Sequence, residues 1–366
     1  MELSRRVERV VLLVGGVDAE IDTRDCPNLR LETVGYRPGL WPWNTWRASR
    51  MARRILVQER INIVHDTFGN LWPLFHGRKQ FPESTYVTSL FALSAWRARN
   101  VFGSMALWRM LSARYLARIL LSRWVEKHIC LWCDHVVVQA PGLIDRLLED
   151  VPVSRAQVHV LTNSVDVDFW APAQHPANGQ PNPQAELLFV GNFYAGKGLP
   201  VLFEALSILK QSGAQCSLKA VGSWVPHCQR EVLRALRRYD VEDRVVFMDP
   251  VSREDLRTLY QNSHVLLYQT RDDGSPRVVL EALACGLPVV ASHHPGIDHF
   301  DPQGEFIAFT EFGDAARVAE YVLDVQRNPG EWAKRSRRGR ERMGARFSTA
   351  AVADEYAAFY RSILRG

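Results

Sequence analysis

The stretch Asp273-Gly274-Ser275-Pro276-Arg277-Val278-Val279-Leu280-Glu281-Ala282-Leu283-Ala284-Cys285-Gly286-Leu287-Pro288-Val289-Val290 decides the fold. It reads as loop, helix, turn and strand. Ser275 has the side chain of a helix cap, and Pro276 suits a first turn, where a missing N–H costs nothing. Gly286 stops the helix, and Pro288-Val289-Val290-Ala291 resumes as a buried strand. Asp273 stands before the helix and Glu281 within it. A helix N-terminus offers unpaired N–H groups and the positive end of the dipole, so this loop can hold an anion. The acids can hold hydroxyls nearby. A site that grips phosphate and several hydroxyls suits a nucleotide sugar.

Outward from this stretch, the second half of the chain repeats strand and helix. Leu187-Leu188-Phe189-Val190-Gly191 is a short apolar strand. The loop through Gly196-Lys197-Gly198 follows, and a helix opens near Pro200 with Leu202, Ala205, Leu206 and Leu209 on one face. A glycine-flanked lysine at a strand-to-helix turn is a natural phosphate contact, although no P-loop GK[ST] is present. Further strands are expected over 217–221, 244–248 and 264–268, with a helix capped at Ser252 between the last two. This is a parallel α/β sheet, and such sheets bind ligands outside the C-terminal ends of their strands. Lys197 and Asp273 then fall on the same edge.

The first half alternates likewise. Strands are expected over 9–16, 29–34, 62–66, 86–90, 135–138 and 157–161, with helical spacing between them. The reading is a doubly wound parallel sheet. His65 and Asp66 sit at one strand end, where a histidine is either a ligand contact or base, or a polar strand terminus. Residues 96–132 hold Arg97, Arg99, Arg109, Arg114, Arg118, Arg123 and Lys127 against Glu126, interleaved with Trp96, Phe102, Trp108, Tyr115, Trp124 and Trp132. Such a segment packs as amphipathic helices on the sheet or meets an anionic membrane, and the cluster as a whole is read as a peripheral membrane contact. Residues 171–184 are rich in Pro, Gln and Asn and read as a linker. Helices near 314–326, 331–346 and 349–364 close the chain.

Composition narrows the class. The chain has 366 residues, 47% hydrophobic and 23% charged, enough for two globular domains. A net charge of +5 is too weak to imply nucleic acid. No apolar run reaches the length of a membrane span, and no secretory signal opens the chain, so a cytoplasmic protein is expected. Cys26, Cys130, Cys133, Cys216, Cys228 and Cys285 are expected as free thiols. His128 and His135 flank Cys130 and Cys133, but zinc is set aside because the run is one helix end leading into a strand. Asp166-x-Asp168 is likewise set aside as a metal pair, since it closes a domain before the linker.

The residues also resemble a known family. Asp273-x7-Glu281 followed by Ala-Leu-Ala-Cys-Gly-Leu-Pro-Val-Val resembles the signature of family-4 retaining glycosyltransferases of the GT-B fold, glycosyl transferases group 1. Val190-Gly191, Lys197-Gly198, Asn163-Ser164-Val165-Asp166, Val221-Gly222, Phe347-Ser348 and the strand end at His65 agree in order. The resemblance implies two Rossmann-like domains facing across a cleft. Residues 1–170 form the acceptor side, 171–184 the linker, 185–346 the nucleotide-sugar-binding domain and 347–366 a helix crossing back to the first domain. It implies a donor linked to UDP or GDP, with no other cofactor and no metal. Lys197 meets the phosphates, Asp273 reads sugar hydroxyls, Gly191 and the backbone of Gly274, Ser275, Pro276 and Arg277 lie beside the donor, and Glu281 takes the ribose hydroxyls. Asp273, Glu281 and His65 are the candidate catalytic residues. The acceptor is a saccharide or a lipid-linked glycan of envelope or exopolysaccharide synthesis, met at the inner face of the membrane.

Four departures qualify the resemblance. Asp273 is one methylene shorter than the usual glutamate. Asn192 stands where an arginine is usual. Ser89-Leu90 stand where many members carry a histidine. The N-terminal domain is short by about one strand–helix unit, so a truncated or mis-assigned start is expected, which mass spectrometry of the native N-terminus tests. These departures leave a second reading, a catalytically impaired relative kept as a binding or partner subunit. A sugar-nucleotide epimerase of the same fold is disfavoured by the Asp-x7-Glu signature.

Overall fold

The computed structural model describes residues 2–14, 26–35, 41–67, 71–90, 113–173, 184–225, 228–271 and 273–364. The chain forms two compact units. The first is built on Met1–Arg97, Ala113–Thr162 and Thr349–Gly366, the second on Asn163–Ser348.

In the first unit, β1 (Val10–Val14) and β2 (Leu29–Thr33) make a parallel pair of their own. Helix α1 (Trp41–Gln58) leads to β3 (Ile63–Asp66), and α2 (Trp72–His76) to β4 (Thr85–Leu90). Then come α3 (Ala113–Trp132), β5 (His135–Val138), α4 (Ile144–Asp150) and β6 (Val158–Val160). Strands β3 to β6 form a parallel sheet in sequence order, so the single doubly wound sheet expected here is two separate sheets among the described residues. Side chains alternate across the four-stranded sheet as the pleat requires. Tyr86 and Val136 face a core with Leu74, Phe75, Ile129 and Leu147, whereas Val87 and Val137 face Phe359 of the last helix. That helix, expected over 347–366, spans Thr349–Leu364 and packs within this unit. The basic, aromatic stretch from Trp96 lies outside the described residues up to position 112.

The second unit carries β7 (Gln184–Val190), α5 (Leu199–Gln211), β8 (Gln215–Val221), α6 (Gln229–Arg238), β9 (Val245–Met248), α7 (Arg253–Asn262), β10 (Val265–Tyr268), α8 (Arg277–Ala284), β11 (Val289–Ser292) and β12 (Ile307–Thr310). Helices α9 (Ala315–Arg327) and α10 (Pro329–Arg342) follow, and α11 is the last helix already described. The strands are all parallel, in the order β9-β8-β7-β10-β11-β12. Both faces are covered, which explains the near-continuous apolar runs of β7, β10 and β11. Leu187 and Phe189 pack on α5 and α9, and Leu188 packs on the opposite face with α7 and α8. The strand order reverses between β7 and β10. Such a switch point leaves a crevice at the C-terminal strand ends, because the connections on either side depart to opposite faces. The loops after β7 and β10, which carry Lys197 and Asp273, both open there. The linker core, 174–183, lies outside the described residues. Among the described residues no helix is long and apolar enough to cross a membrane.

Candidate functional site

The loop after β7 is held tightly before it reaches Lys197. The N–H of Gly191 donates to the carbonyl of Val221 on the neighbouring strand at 2.9 Å. A short turn, Ala195–Lys197, then ends at Gly198, whose φ of +77° starts α5. A Cβ at Gly198 would stand 1.8 Å from the carbonyl oxygen of Gln269, just past the end of β10. The lysine loop thus lies against the next loop of the switch point, and the contact requires both the missing side chain and the left-handed backbone.

That proximity brings Lys197 and Asp273 together. The Lys197 Nζ is 2.6 Å from Asp273 Oδ2. The Tyr268 hydroxyl donates to the same oxygen at 2.5 Å, and the Gly274 N–H donates to Oδ1 at 2.8 Å. Gly296 backs this loop, since a Cβ there would stand 2.0 Å from the Asp273 carbonyl oxygen. Burial pushes the Asp273 carboxyl up. The Lys197 ammonium, the Tyr268 hydroxyl and the charge of His294 outweigh it and hold the group below the usual range.

Helix α8 starts later than expected. Pro276 is its N-cap and Arg277 its first residue, and no side chain caps it, so Ser275 precedes the cap. The residue before a proline is driven out of helical backbone, which places Ser275 in the loop. The Ser275 carbonyl instead accepts from Asn163 Nδ2 at 2.7 Å, fixing the loop to the start of the unit. Arg277 is exposed on the first turn. One turn on, buried Glu281 accepts from the Tyr260 hydroxyl at 3.2 Å. Burial raises the Glu281 carboxyl, and Arg277, Tyr260 and Arg253 only partly oppose it. Lys197, Asp273, Gly274, Ser275, Pro276, Arg277 and Glu281 therefore cluster on one side of the switch point. Phosphate can be met there by Lys197 and the free N–H groups of α8, and hydroxyls by the two acids.

His65 belongs to the first unit. Its Nδ1 is 2.6 Å from the Tyr360 hydroxyl and its Nε2 is 2.7 Å from Ser89 Oγ. The ring also stacks on Tyr356. Burial drops its pKa to about 4, so the ring is neutral and both nitrogens are engaged. Asp66 accepts from the N–H of Leu71, the residue that precedes α2.

The residues weighed for metal go elsewhere. Cys130 and Cys133 are buried, and the Cys133 thiol points to the Cys130 carbonyl. His128 stacks on Trp124, and His135 Nδ1 pairs with His159 at 3.0 Å. Asp166 accepts from the Phe169 N–H. Among the described residues no group of three or more metal-ligating side chains converges.

Sequence reading missed Tyr260, Tyr268 and Gly296. Tyr268 carries a local signal, a hydroxyl-bearing ring at the strand end five residues before the acid. Tyr260 and Gly296 carry none, because they reach the site only through the fold.

Comparison with known proteins agrees with this architecture. The family description "Glycosyl transferases group 1" matches residues 171–342, and "Glycosyltransferase Family 4" matches residues 1–169. A D-inositol 3-phosphate glycosyltransferase of Mycolicibacterium smegmatis is 28% identical over 64% of this chain and 54% of its own length. The chain spans about half the length of the first curated relatives it matches. Among solved structures, the sucrose-phosphate synthase of Thermosynechococcus elongatus covers 100% of this chain and 91% of its own at 19% identity, with a TM-score of 0.78. Anabaena HepE, solved in complex with UDP and glucose, covers 91% and 86% at 14% identity, with a TM-score of 0.70. Matched through both halves, the chain belongs to the family-4, group 1 glycosyltransferases of the GT-B fold.

Proposed function

We propose that this chain is a metal-independent, retaining glycosyltransferase that moves a hexose from a UDP- or GDP-linked donor to a saccharide or lipid-linked acceptor. The observation that carries the reading is the convergence of a lysine and two carboxylates at the switch point, with the Lys197 Nζ 2.6 Å from Asp273 Oδ2. Lys197 and the N-terminus of α8 neutralise the departing diphosphate, the work a metal would otherwise do. Glu281, directed by Tyr260, takes the ribose hydroxyls, and Asp273 reads the sugar. The acceptor oxygen bonds to the anomeric carbon as the bond to the diphosphate breaks, and the acceptor proton passes to the departing phosphate. Binding of UDP and glucose by Anabaena HepE supports the donor class. Phosphorylated sugars and inositol in the names of relatives support an acceptor of sugar-phosphate or saccharide type.

Thermal shift with UDP-glucose, UDP-galactose and GDP-mannose, followed by product analysis with saccharide and lipid-linked acceptors, tests this reading. A stabilisation that Glu281→Ala abolishes supports it, and no shift with any nucleotide sinks it. The second reading, a donor-binding subunit without turnover, draws on Ser89, which pairs with His65 and stands where the family resemblance leads one to expect a histidine. Binding without product under every acceptor would favour it.

Contact with the inner face of an anionic membrane is part of the same proposal. On α3, Leu120, Leu121, Trp124 and Leu131 are exposed, with Arg123 and Lys127 exposed among them. Apolar and aromatic side chains flanked by cations suit a headgroup boundary. Co-sedimentation with phosphatidylglycerol vesicles, lost in Leu120→Glu with Trp124→Glu, is the expected result. Equal sedimentation of both proteins would overturn it.

A further inference from the structure

Asp273 holds more partners than a hydroxyl-reading carboxylate needs. Its Oδ2 receives both the Lys197 ammonium at 2.6 Å and the Tyr268 hydroxyl at 2.5 Å, and its Oδ1 receives the Gly274 N–H at 2.8 Å. A carboxylate oxygen has room for two donors, so Oδ2 has no place left for a sugar hydroxyl. The lysine is also the cation that a diphosphate at this edge would draw, and it cannot serve both anions fully.

The two donors on Oδ2 differ in what they can do. Lys197 is a flexible point charge on a glycine-flanked turn. Tyr268 is a rigid ring at the end of β10, 3% exposed and flanked by β7 and β11. When Lys197 turns to phosphate, only Tyr268 and the Gly274 N–H remain to hold the acid. We propose that Tyr268 is a positioning residue for donor recognition: it holds Asp273 in place while Lys197 serves the diphosphate, and Oδ2 then offers its vacated position to a hydroxyl of the donor sugar. This rests on the nucleotide-sugar reading above. With the Tyr268 hydroxyl already 2.5 Å from Oδ2, the same contact is expected to disfavour the longer side chain of a glutamate at 273.

The test separates sugar from nucleotide. Calorimetric Kd values for UDP and UDP-glucose, and for GDP and GDP-mannose, are measured on the full chain and on Tyr268→Phe. The expected result is unchanged nucleotide affinity and a loss of about tenfold for the nucleotide sugar. In the Asp273→Asn background, Tyr268→Phe adds nothing. The groups facing Asp273 are Lys197, Tyr268 and His294. Losing the hydroxyl lets the carboxyl pKa rise, so the acid limb of nucleotide-sugar binding moves to higher pH in Tyr268→Phe while that of UDP does not. Retained nucleotide binding is the internal control for folding. Asp273→Glu is expected to lose the nucleotide sugar and keep the nucleotide, and Tyr268→Phe added to it restores sugar binding. Equal losses for nucleotide and nucleotide sugar, or no loss in either, would overturn the role of Tyr268 alone. An unaltered chain that binds none of the four ligands would overturn the donor reading, and this role with it.

Discussion

The Tyr360 hydroxyl lies 2.6 Å from Nδ1 of His65, and this bond ties the last helix to the edge strand β3 of the first unit. His65 is half-buried and neutral, with a pKa lowered from 6.5 to about 4 by desolvation. The unfolded chain therefore binds a proton that the folded chain refuses between those values. The contribution to stability is whole above pH 6.5 and is lost as the pH falls toward 4. A drop of that size corresponds to roughly 3 kcal/mol. His299 behaves alike, and His135, His159 and His264 are shifted the same way. Thermal midpoints taken from pH 7.5 to 4.5 should fall steeply for the wild type and less steeply for His65→Gln. Identical slopes for the two proteins would contradict the neutral, desolvated ring.

Gly198 should be intolerant of any side chain. Its φ is +77°, and a Cβ would sit 1.8 Å from a backbone oxygen that cannot rotate away. Gly198→Ala is expected to destabilise the chain by roughly 2–4 kcal/mol in urea unfolding. It should also displace Lys197, so nucleotide affinity falls even where the variant is fully folded. Alanine at Gly213 provides the contrast: its φ is also positive, but open space surrounds it, and only the backbone cost of about 1 kcal/mol should appear.

The second unit was largely legible in the chain. Its strands are short apolar runs punctuated by Gly191, Gly222 and Gly286, and a sheet buried on both faces leaves that mark. Lys197 and Asp273 could be placed on one edge because parallel strands put every such loop at the same end. Their direct pairing could not be read, since it depends on Gly198 letting two loops touch. The cap was misplaced by one position because Ser275 and Pro276 carry opposite signals, a cap side chain and a ring that extends the residue before it. His65 could be set at a strand end, but its partners lie 24 and 295 residues away. No local pattern announces a tyrosine on the last helix.

Asp301 is a structural carboxylate that the motif does not include. It is buried, and it accepts from the N–H groups of Glu305, Phe306 and Ile307, which turn the chain into β12. Asp301→Ala leaves the buried N–H groups of Phe306 and Ile307 without this acceptor, at an expected cost of roughly 2–4 kcal/mol. Asp301→Asn keeps one acceptor and should recover part of it. Both variants should bind UDP normally below their lowered unfolding transitions. A selective loss of UDP binding with stability intact would contradict a purely structural role.

Glu281 should show the reverse relation between stability and binding. Its carboxyl is raised by burial, so the ionised form opposes folding. The sign follows from linkage: the folded chain binds the proton more tightly than the unfolded one, and stability is lost as the pH rises through the folded pKa. Glu281→Gln removes that cost while its amide oxygen can still accept from the Tyr260 hydroxyl. It is expected to raise the thermal midpoint at pH 7 and to leave it unchanged near pH 4. The same change removes a charged acceptor from the proposed ribose site, so UDP affinity should fall by about tenfold or more. Tyr260→Phe acts on the partner instead. It takes away the hydroxyl that favours the charged form, the carboxyl rises further, and UDP binding should require higher pH. A Tyr260→Phe protein with an unshifted pH profile would separate Tyr260 from the site and leave it a core side chain packed on Trp170.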